Sequence, residues 1–357
     1  MVIEIIKKSN NKSFLFWTIT LLILLGISLI AAIAIGSTYI EPDIVYKFLG
    51  NKLTGKEIFP VLWDKSIEQI IWQIRVPRVI LGIITGAGLA ICGVLMQCVT
   101  RNSIADPYIL GISSGASAGA VFIIVFGSSL AVGGLTVALG AFIGSILCGA
   151  LVFIIGTQWG KSTSTTRLVL SGLAISTIFS AITNILIYSA ENSNQAKSAM
   201  FWIMGSLGGG RYEVLLLPSI ILIGILVLSI MLSKSMDLLL FGDDSAVVLG
   251  MNVKLIKSLI IFGATLLTSA LVSITGAIGF IGLIIPHICR QISGSNHRKL
   301  IILSSLTGAI FLVWTDVIAR AAFAPREIPI GIITSIIGGP FFLWLISKNE
   351  YSFGGKN

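Results

Sequence analysis

Charged residues in this sequence are gathered into short clusters that separate long stretches without any formal charge. Of 357 residues, only 24 are Lys or Arg and 15 are Asp or Glu. The uncharged stretches are 13–40, 79–100, 107–160, 168–190, 214–233, 258–289, 300–315 and 328–347. Because a helix needs about 20 apolar residues to cross a hydrocarbon core, this pattern predicts an all-α polytopic membrane protein.

The number of spans depends on two of these stretches. The stretch 107–160 has room for two helices, with an outer turn predicted near Gly127 and residues 128–134. The stretch 258–289 forms either one long helix interrupted by glycines or two helices that borrow flanking residues such as 253–256. These alternatives give nine or ten spans. Basic residues near both termini favour a cytoplasmic N-terminus and C-terminus, which requires an even number, so we predict ten.

Two longer polar segments connect the predicted spans of this single transmembrane domain, 1–357. Residues 37–78 contain similar numbers of basic and acidic residues and are predicted to form a folded external cap. Residues 234–254 are too polar to span and too apolar for a plain linker, and they are predicted to be cytoplasmic. The net charge of +9 is explained by topology, and nucleic-acid binding is not indicated.

No acidic residue is predicted in the middle of a span, and the nearest ones, Asp106 and Asp316, sit at predicted helix ends. Ion-coupled carriers and pumps usually keep ionisable groups at membrane depth, so we expect the energy for transport to come from a partner. Residues 156–162 imitate a phosphate-binding loop but are one residue short and lack the preceding strand. The four cysteines have no CxxC spacing, so neither a disulfide framework nor a zinc site is indicated.

Four segments carry more specific information. The first reads RVPR over 75–78, at the outer start of the second span, and Arg320 lies at another outer end. The second reads GVLMQCVTRNSIADPYILGISSGAS over 93–117. The third reads GDDSA over 242–246, where two short helices are predicted to join at a glycine. The fourth reads GAIGFIGLIIPHICRQISGSNHRKL over 276–300 and is followed by EIPIG at 327–331 and GGP at 338–340.

In this order, the four segments resemble the permease subunits of type II ABC importers, the group that takes up iron siderophores, haem and cobalamin. The resemblance runs from about Trp72 to Ile346 and implies the fold of those permeases. It implies a transport subunit that is not an enzyme and binds no cofactor, since ATP and Mg²⁺ belong to the ATPase. The implied partners are a second permease chain, identical or related, two cytoplasmic ATPase subunits, and an extracytoplasmic binding protein. The implied location is the lipid of a bacterial cytoplasmic (inner) membrane.

The resemblance also implies roles for particular residues. The cations that would engage acidic groups of the binding protein are Arg75, Arg78 and Arg320. The residues that would couple the chain to the ATPase are Gly242, Asp243, Ser245, Ala246 and Gly250. The residues that would adjoin the translocation path or gate are Asn102, Ser113, Ser114 and Ser117, which offer polar groups without charge.

Ferric siderophore uptake is the first expectation for function, and haem or cobalamin uptake is the alternative. No metal ligands are expected, because His287 is one of only two histidines and is predicted to hydrogen-bond rather than to ligate iron. A secondary transporter would predict inverted repeats with broken helices and an intramembrane ionisable group. A membrane-embedded enzyme would need acids, histidines or a nucleophile clustered at one depth. Neither pattern is clear in the sequence.

Overall fold

In a computed structural model the chain is a helical bundle, and the structure describes residues 2–36, 38–127, 136–157 and 165–348. The helices in these residues are α1 (Val2–Ala34), α2 (Pro42–Thr54), α3 (Lys65–Gln69), α4 (Val76–Thr100), α5 (Ile112–Phe126), α6 (Val137–Gly156), α7 (Thr165–Tyr188), α8 (Ser193–Ile203), α9 (Tyr212–Leu239), α10 (Asp243–Val248), α11 (Val253–Thr275), α12 (Ile281–Ser293), α13 (His297–Ala321) and α14 (Ile330–Lys348). A π-helix (Ile70–Arg75) precedes α4, and a 3-10 helix (Pro107–Leu110) precedes α5. The described residues contain no strand, so the predicted all-α fold is confirmed.

Eight of the described helical segments are long and apolar enough to cross a membrane. Helices α5 and α12 have only 15 and 13 residues. At 1.5 Å per residue each is roughly 20 Å long, which is shorter than the roughly 30 Å of a hydrocarbon core. Each follows a stretch that is not α-helical, residues 101–111 or 276–280. The ten predicted spans therefore correspond to eight long helices and two short ones extended by non-helical backbone.

The stretch predicted to hold two helices, 107–160, and the stretch with an uncertain number, 258–289, each contain two. Residues 107–160 form α5 and α6, as predicted; of the predicted outer turn, Gly127 follows α5 and residues 128–134 lie outside the described part of the chain. Residues 258–289 also form two helices, because α11 begins at Val253 and ends at Thr275. The two-helix alternative with borrowed flanking residues is therefore confirmed.

The two ends of the bundle are called outer and inner according to the predicted orientation. The outer end contains residues 38–78, 205–211 and 322–329, and the inner end contains residues 101–106, 240–252 and 294–296. Near the start of α1, the ring of Phe14 lies 5.6 Å from Lys299, at the inner start of α13. Near the end of α14, Phe341 packs against His287 of α12. The start of α1 and the end of α14 thus lie at the same end of the bundle, as an even number of crossings requires. Which side of the membrane this end faces stays a prediction.

The predicted external segment 37–78 is only partly a separate cap. Helix α2 packs against the following loop and the next span, where the ring of Phe48 lies 6.3 Å from Trp63 and 6.4 Å from Trp72. From Lys65 onward the chain is continuously helical into α4. The second span thus begins well before residue 79, because the charges at positions 75 and 78 are buried rather than exposed.

Helix α4 lies at the centre of the bundle. Nearly all of its residues are buried, and it contacts α9, α11, α12 and α13. The closest approach to α13 is between Gly86 and Gly308, where a Cβ atom on Gly86 would lie 2.2 Å from the Gly308 carbonyl oxygen. Small residues allow such backbone contact where lipid provides no hydrophobic drive for association. By contrast, α14 packs mainly against α12 and α13 and leaves apolar side chains such as Ile336 exposed.

The contact between α4 and α13 predicts a difference between two glycines. We expect Gly86→Ala to lower the thermal unfolding midpoint of the purified chain, because the new methyl group separates two backbones and overpacking costs about 1–3 kcal/mol. The matched control is Gly224→Ala in α9, where an added Cβ meets nothing within 4 Å. Equal midpoints for the two variants would contradict the close approach.

Candidate functional site

The C-terminal end of α1 is capped by two arginine side chains from other parts of the bundle. Arg75 donates to two carbonyl oxygens at 2.5 and 2.8 Å, and Arg320 donates to two more at 3.0 and 3.1 Å. The acceptors are Ile33 and Ala34 for Arg75, and Ala32 and Ile35 for Arg320. The last carbonyls of a helix lack intrahelical partners, and guanidinium groups supply several donors in a fixed arrangement. These arginines therefore attach α1 to α4 and α13.

A buried carboxylate holds two of the arginines together at the outer end. The Nε atom of Arg78 donates to Asp316 Oδ1 at 3.0 Å, and Arg320 Nε lies 2.9 Å from Asp316 Oδ2. The two terminal nitrogens of Arg78 also donate to the two carboxylate oxygens of Glu327, at 3.0 and 2.9 Å. Asp316 is 1% exposed, whereas the Glu327 side chain is 44% exposed. Asp316 thus links Arg78 to Arg320 inside the bundle, whereas Glu327 is the partner of Arg78 that faces outward.

The three arginines predicted to dock the binding protein are enclosed in this structure. Arg75, Arg78 and Arg320 are 5%, 7% and 4% exposed, and their guanidinium groups are engaged within the chain. Their docking role stays a prediction. Two cations beside them are exposed, Arg326 and Arg211. Arg326 directly precedes the EIPIG segment at 327–331. Nothing in the sequence around Arg211 indicated that it lies near the three buried arginines, although its neighbour Gly210 lies against the backbone of Arg78.

The two segments of non-helical backbone meet in the middle of the bundle. The hydroxyl of Tyr108, in the segment before α5, donates to the carbonyl oxygen of Ile278 and accepts from the Ile278 N–H, both at 3.0 Å. Asp106 accepts from the Tyr108 N–H at 2.9 Å. Phe280 then turns the chain into α12 with φ 69°, and its ring lies against Gly338 of α14. Such backbone is tolerated at membrane depth where it is covered by protein or lines a cavity.

An open cavity of about 750 Å³ lies beside this junction, and its lining includes the exposed residues Ser335 and Ile336. Its lining comes from four regions, the start of α5, the end of α8, the segment before α12, and α14. The lining residues are Tyr108, Ser113, Ser114, Ile203, Met204, Ala277, Gly279, Gly331, Ile332, Ser335 and Ile336. The lining includes no Asp, Glu, Lys, Arg, His or Cys among the described residues.

A smaller cavity of about 230 Å³ adjoins the first and shares part of its wall. Its lining is mostly hydroxyl and amide groups, from Ser113, Ser114, Ser117, Ser180, Thr183, Asn184 and Ile203. Three of the four residues predicted along the path are therefore brought together. The fourth, Asn102, lines neither cavity; it is exposed and accepts from the Ile104 N–H at 3.0 Å in a turn.

Polar side chains on α7 were not predicted to belong to the site. Thr177, Ser180 and Asn184 are exposed and recur at positions i, i+3 and i+7, so they share one face of the helix. That spacing was readable in the sequence, but the residues sit inside an uncharged run and no charge marked them. Ser335 of α14 reaches the cavity only through tertiary packing.

At the inner end, α10 is a single short helix rather than one of two. The sequence predicts two short helices joined at a glycine in 234–254, but the first is the continuation of α9 as far as Leu239. Asp237 lies inside α9, and its carboxylate accepts from the backbone N–H of His297 at 2.9 Å and lies 2.7 Å from the His297 ring. Only α10 stands apart, after Gly242.

Helix α10 is bounded by glycines that adopt conformations other residues disfavour. Gly242 precedes it with φ 101° and Gly250 follows it with φ 82°. The N–H of Gly250 bonds to Val247 O at 2.9 Å, and the N–H of Met251 bonds to Ala246 O at 3.0 Å. This pair of bonds is a Schellman motif, which satisfies the last carbonyls of a helix. The spacing of glycines in the predicted coupling segment thus has a local structural cause.

Three charged groups meet at the start of α10. Lys257 Nζ lies 2.6 Å from Asp243 Oδ2, and Arg101 lies 3.7 Å from Asp243 Oδ1. The Lys257 side chain is only 2% exposed. Of the other predicted coupling residues, Ser245 is exposed and Ala246 is buried. The sequence singled out Asp243 but treated Lys257 only as part of an inner basic cluster.

No metal-binding cluster is found in the part of the chain that the structure describes, where no three His, Cys, Asp or Glu residues come together. The four cysteines are buried free thiols. His287 makes an edge contact with Phe341, with ring centroids 5.9 Å apart. The site therefore consists of an uncharged central cavity between two charged networks, one at each end of the bundle.

Known proteins with this sequence pattern and fold are membrane transport subunits. A family model described as the FecCD transport family matches residues 22–348. The hemin transport system permease protein of Yersinia pestis is 36% identical over 83% of this chain and 90% of its own length. The cobalamin import system permease protein of Halobacterium salinarum is 41% identical over 80% of this chain and 75% of its own. A solved inward-facing metal-chelate type ABC transporter is 31% identical, with a TM-score of 0.78 over 93% of this chain and 99% of that one.

The outer network predicts unequal effects for its two carboxylates. We expect Asp316→Asn to lower the thermal unfolding midpoint strongly, because removing one partner of a buried ion pair costs about 3–5 kcal/mol. Glu327→Gln is the matched control, and because Glu327 is half-exposed we expect its loss to cost at most about 1 kcal/mol. Tryptophan fluorescence of the purified chain during heating measures both midpoints. Similar shifts for both variants would refute the internal role of Asp316.

Proposed function

The chain belongs to the FecCD transport family, the membrane-spanning permeases of ABC importers, and we propose that its cargo is an intact ferric siderophore. As such a permease it is a multi-pass transport subunit and not an enzyme, and ATP is hydrolysed by a separate ATPase subunit. A substrate-binding protein delivers the cargo to the permease. The proposal places the chain in the cytoplasmic membrane of a bacterium, with the ATPases at its inner end.

The observation that carries the proposal is the uncharged lining of the central cavity. A free metal ion crossing this space would need oxygen, nitrogen or sulfur ligands to replace its water. The described lining offers hydroxyls, the Asn184 amide and the Met204 thioether, but no carboxylate, imidazole or thiol. We infer that the metal crosses already enclosed by an organic chelator, and that the protein contacts the chelator alone.

The size of the cavity supports an organic cargo. Pockets for drug-sized ligands usually have volumes of about 300–1,000 Å³. The central cavity, at about 750 Å³ from one chain, lies in that range. A small oxyanion would be surrounded by far more space than it fills, and it would also lack cationic partners in the lining.

The lining favours a siderophore over haem. Haem iron has axial positions that proteins commonly fill with His, Cys, Met or Tyr. In the described lining, the Tyr108 hydroxyl is already committed to Ile278, which leaves a single such group, the Met204 thioether, and no His or Cys. A ferric siderophore fills every coordination position of its iron and needs no ligand from the protein.

We propose that a second permease chain, identical or related, completes the path. The exposed polar face of α7, with Thr177, Ser180 and Asn184, is poorly suited to lipid because hydrocarbon satisfies no hydrogen bond. It adjoins the smaller cavity. Helix α14, on the other side of the central cavity, has few contacts within the chain. A second chain against these surfaces would shield the polar face and enclose the cargo.

Transport in this proposal is alternating access driven by the ATPases. The exposed side chains of α10 and its flanks contact the ATPase, with Ser245 on the exposed side and Ala246 packed inward. Gly242 and Gly250 set the two ends of the coupling helix, and Asp243 attaches it to the bundle. Closure of the ATPases on ATP shifts this helix, and the path opens alternately to each side.

The binding protein is proposed to dock over the outer arginine cluster. Glu327 is the half-exposed partner of Arg78, so a carboxylate of the binding protein can take its place without uncovering Asp316. Arg75 and Arg320 remain bonded to α1 and contribute positive potential from below the surface. The exposed Arg326 and Arg211 extend the positive surface beside them. Charges of this kind raise the association rate and fix the register.

Docking at this cluster predicts opposite effects for neighbouring substitutions. We expect Arg326→Glu to raise the concentration of binding protein needed for half-maximal uptake, because it adds repulsion at the rim. We expect Glu327→Gln to lower that concentration, because it removes the internal competitor for Arg78. Uptake by reconstituted complexes, titrated with the binding protein at two salt concentrations, measures both. Equal responses, or none, would contradict docking at this site.

The cargo is tested by uptake in a strain that lacks this chain. We expect the intact chain to restore uptake of labelled ferric siderophore, while haem, cobalamin and molybdate uptake stay unchanged. Ser335→Trp should abolish the restored uptake, because the indole fills the cavity at a lining position. The matched control is Ile337→Trp, on the same helix but outside the lining, which should transport normally.

Each other outcome of this comparison has a defined meaning. Restoration of haem or cobalamin uptake would replace the siderophore with that chelate. Restoration of molybdate alone would overturn the inference of an organic cargo. Full activity of Ser335→Trp would show that the cargo does not pass through the central cavity.

A further inference from the structure

Helix α10 is held to the bundle by very little apolar packing. Ala246 is its only buried residue in the described structure. The surrounding apolar side chains point outward, and Phe241, Val247, Val248 and Leu249 are 72%, 58%, 86% and 65% exposed. A six-residue helix with one buried alanine gains little from burial. Other interactions must therefore fix its position.

The strongest attachment is the ion pair between Asp243 and Lys257. The ammonium of Lys257 is enclosed at the inner end of α11, and Asp243 Oδ2 lies 2.6 Å away. Among the described residues, no other carboxylate lies within ion-pair distance of this lysine. An unpaired buried ammonium is strongly unfavourable, so α11 and α10 are bound together by the requirement to keep this pair intact.

The other oxygen of the same carboxylate is directed toward α4. Arg101 lies 3.7 Å from Asp243 Oδ1 and forms the C-terminal cap of α4, with a left-handed backbone at φ 49°. Its N–H bonds to Cys98 O at 3.3 Å, so the residue is fixed to the end of the helix. One side chain of α10 thus contacts two of the most enclosed helices in the bundle.

Both of these helices lead to the central cavity. Helix α11 ends at Thr275, just before the segment that contributes Ala277 and Gly279 to the cavity lining. Helix α4 is followed by the segment that contains Tyr108, which is bonded to that same segment at Ile278. The ring of Phe280, in that same segment, packs against Gly338 of α14.

We propose that Asp243 is the positioning residue through which movement of α10 reaches the cavity, by way of Lys257 on α11 and Arg101 on α4. The proposal rests on the proposed function in one respect, since it takes the ATPase to be the partner that moves α10. When the ATPases close, α10 carries Lys257 with it. The non-helical segment at 276–280 and the adjoining part of α14 then shift, and access to the cavity changes.

The test uses a reporter in the cavity and needs no knowledge of the cargo. Ser335→Cys places one accessible thiol on α14, while the four native cysteines are buried. In the assembled complex with its ATPases, labelling by a water-soluble maleimide is followed with and without ATP. We expect ATP to change the labelling rate by about tenfold, as for a shift between a major and a minor state.

The next variants alter the ion pair between Asp243 and Lys257. We expect Asp243→Asn to lose the ATP-dependent change in labelling, with assembly of the complex and its ATP hydrolysis measured alongside. Lys257→Arg preserves the charge and should keep the change. Glu191→Gln removes a carboxylate charge from an exposed position at the outer end, away from α10, and should also keep it. Loss of the change in Glu191→Gln, or its persistence in Asp243→Asn, would overturn the proposal.

A purely structural role for the ion pair is separated by a double variant. Asp243→Asn leaves a buried charge unpaired, whereas Asp243→Asn with Lys257→Met removes both charges. If the pair serves only stability, the double variant regains the ATP-dependent change. We expect it to recover the yield and thermal midpoint of the complex while labelling stays insensitive to ATP. Recovery of the labelling change in this variant would refute the proposal.

Failure of this proposal and failure of the proposed cargo can be told apart. The labelling experiment contains no siderophore, so its outcome depends only on the connection between α10 and the cavity. If ATP leaves labelling unchanged in the complex with intact Asp243, the connection is refuted even where siderophore uptake is normal. Uptake of a different chelate would instead overturn the cargo and leave the connection standing.

Discussion

A bilayer offers no hydrogen bond to a buried charge or an unpaired backbone group, and this constraint shapes every distinctive feature of the chain. At the outer end, the free carbonyls of α1 are satisfied by Arg75 and Arg320, and Asp316 neutralises the second of these. In the middle, the two segments that leave the helical conformation are joined through Tyr108 and Ile278. At the inner end, Lys257 is enclosed with Asp243. These polar groups inside the bundle thus connect different parts of the chain.

The same constraint separates the parts of the molecule by function. Among the described residues, most charges lie at the two ends, where they bind other elements of the chain and face the sites proposed for the binding protein and the ATPase. The lining of the central cavity and of the smaller cavity beside it contains hydroxyl, amide and apolar groups. A path without charge or metal ligands has no strong attraction for a free ion, and it suits a cargo whose metal is already shielded. Tight binding at this point would slow release, so selectivity is expected to reside mainly in the binding protein.

The sequence predicted most of the fold because charge is so costly in lipid. Uncharged runs marked the spans, and the split of 107–160 into α5 and α6 followed from length alone. The split of 258–289 was open, since its glycines fit both a kinked helix and a break. What resolves it is tertiary: the Tyr108 hydroxyl satisfies the backbone of the break from more than a hundred residues away. No local pattern contains that information.

Site residues were predicted where a motif marked them and missed where packing alone places them. Ser113, Ser114 and Ser117 line a cavity as expected, whereas Ser335 reaches it only through the position of α14. Charge was also misleading at Arg75 and Arg78. A basic pair beside a span ordinarily indicates an exposed end, but their partners lie at distant positions in α1, α13 and the loop before α14. Burial of an arginine depends on such partners, which spacing does not reveal.

Labelling both the metal and its chelator shows whether the metal crosses inside the chelator. Proteoliposomes that contain the assembled complex, loaded with ATP, would be supplied with the binding protein and a siderophore that carries one isotope in the iron and another in the ligand. If the chelate crosses intact, both labels enter together and in the ratio supplied, at every time point. Entry of iron without the labelled ligand would show that the iron crosses outside its chelator, although the described lining has no carboxylate, imidazole or thiol to hold a bare ion.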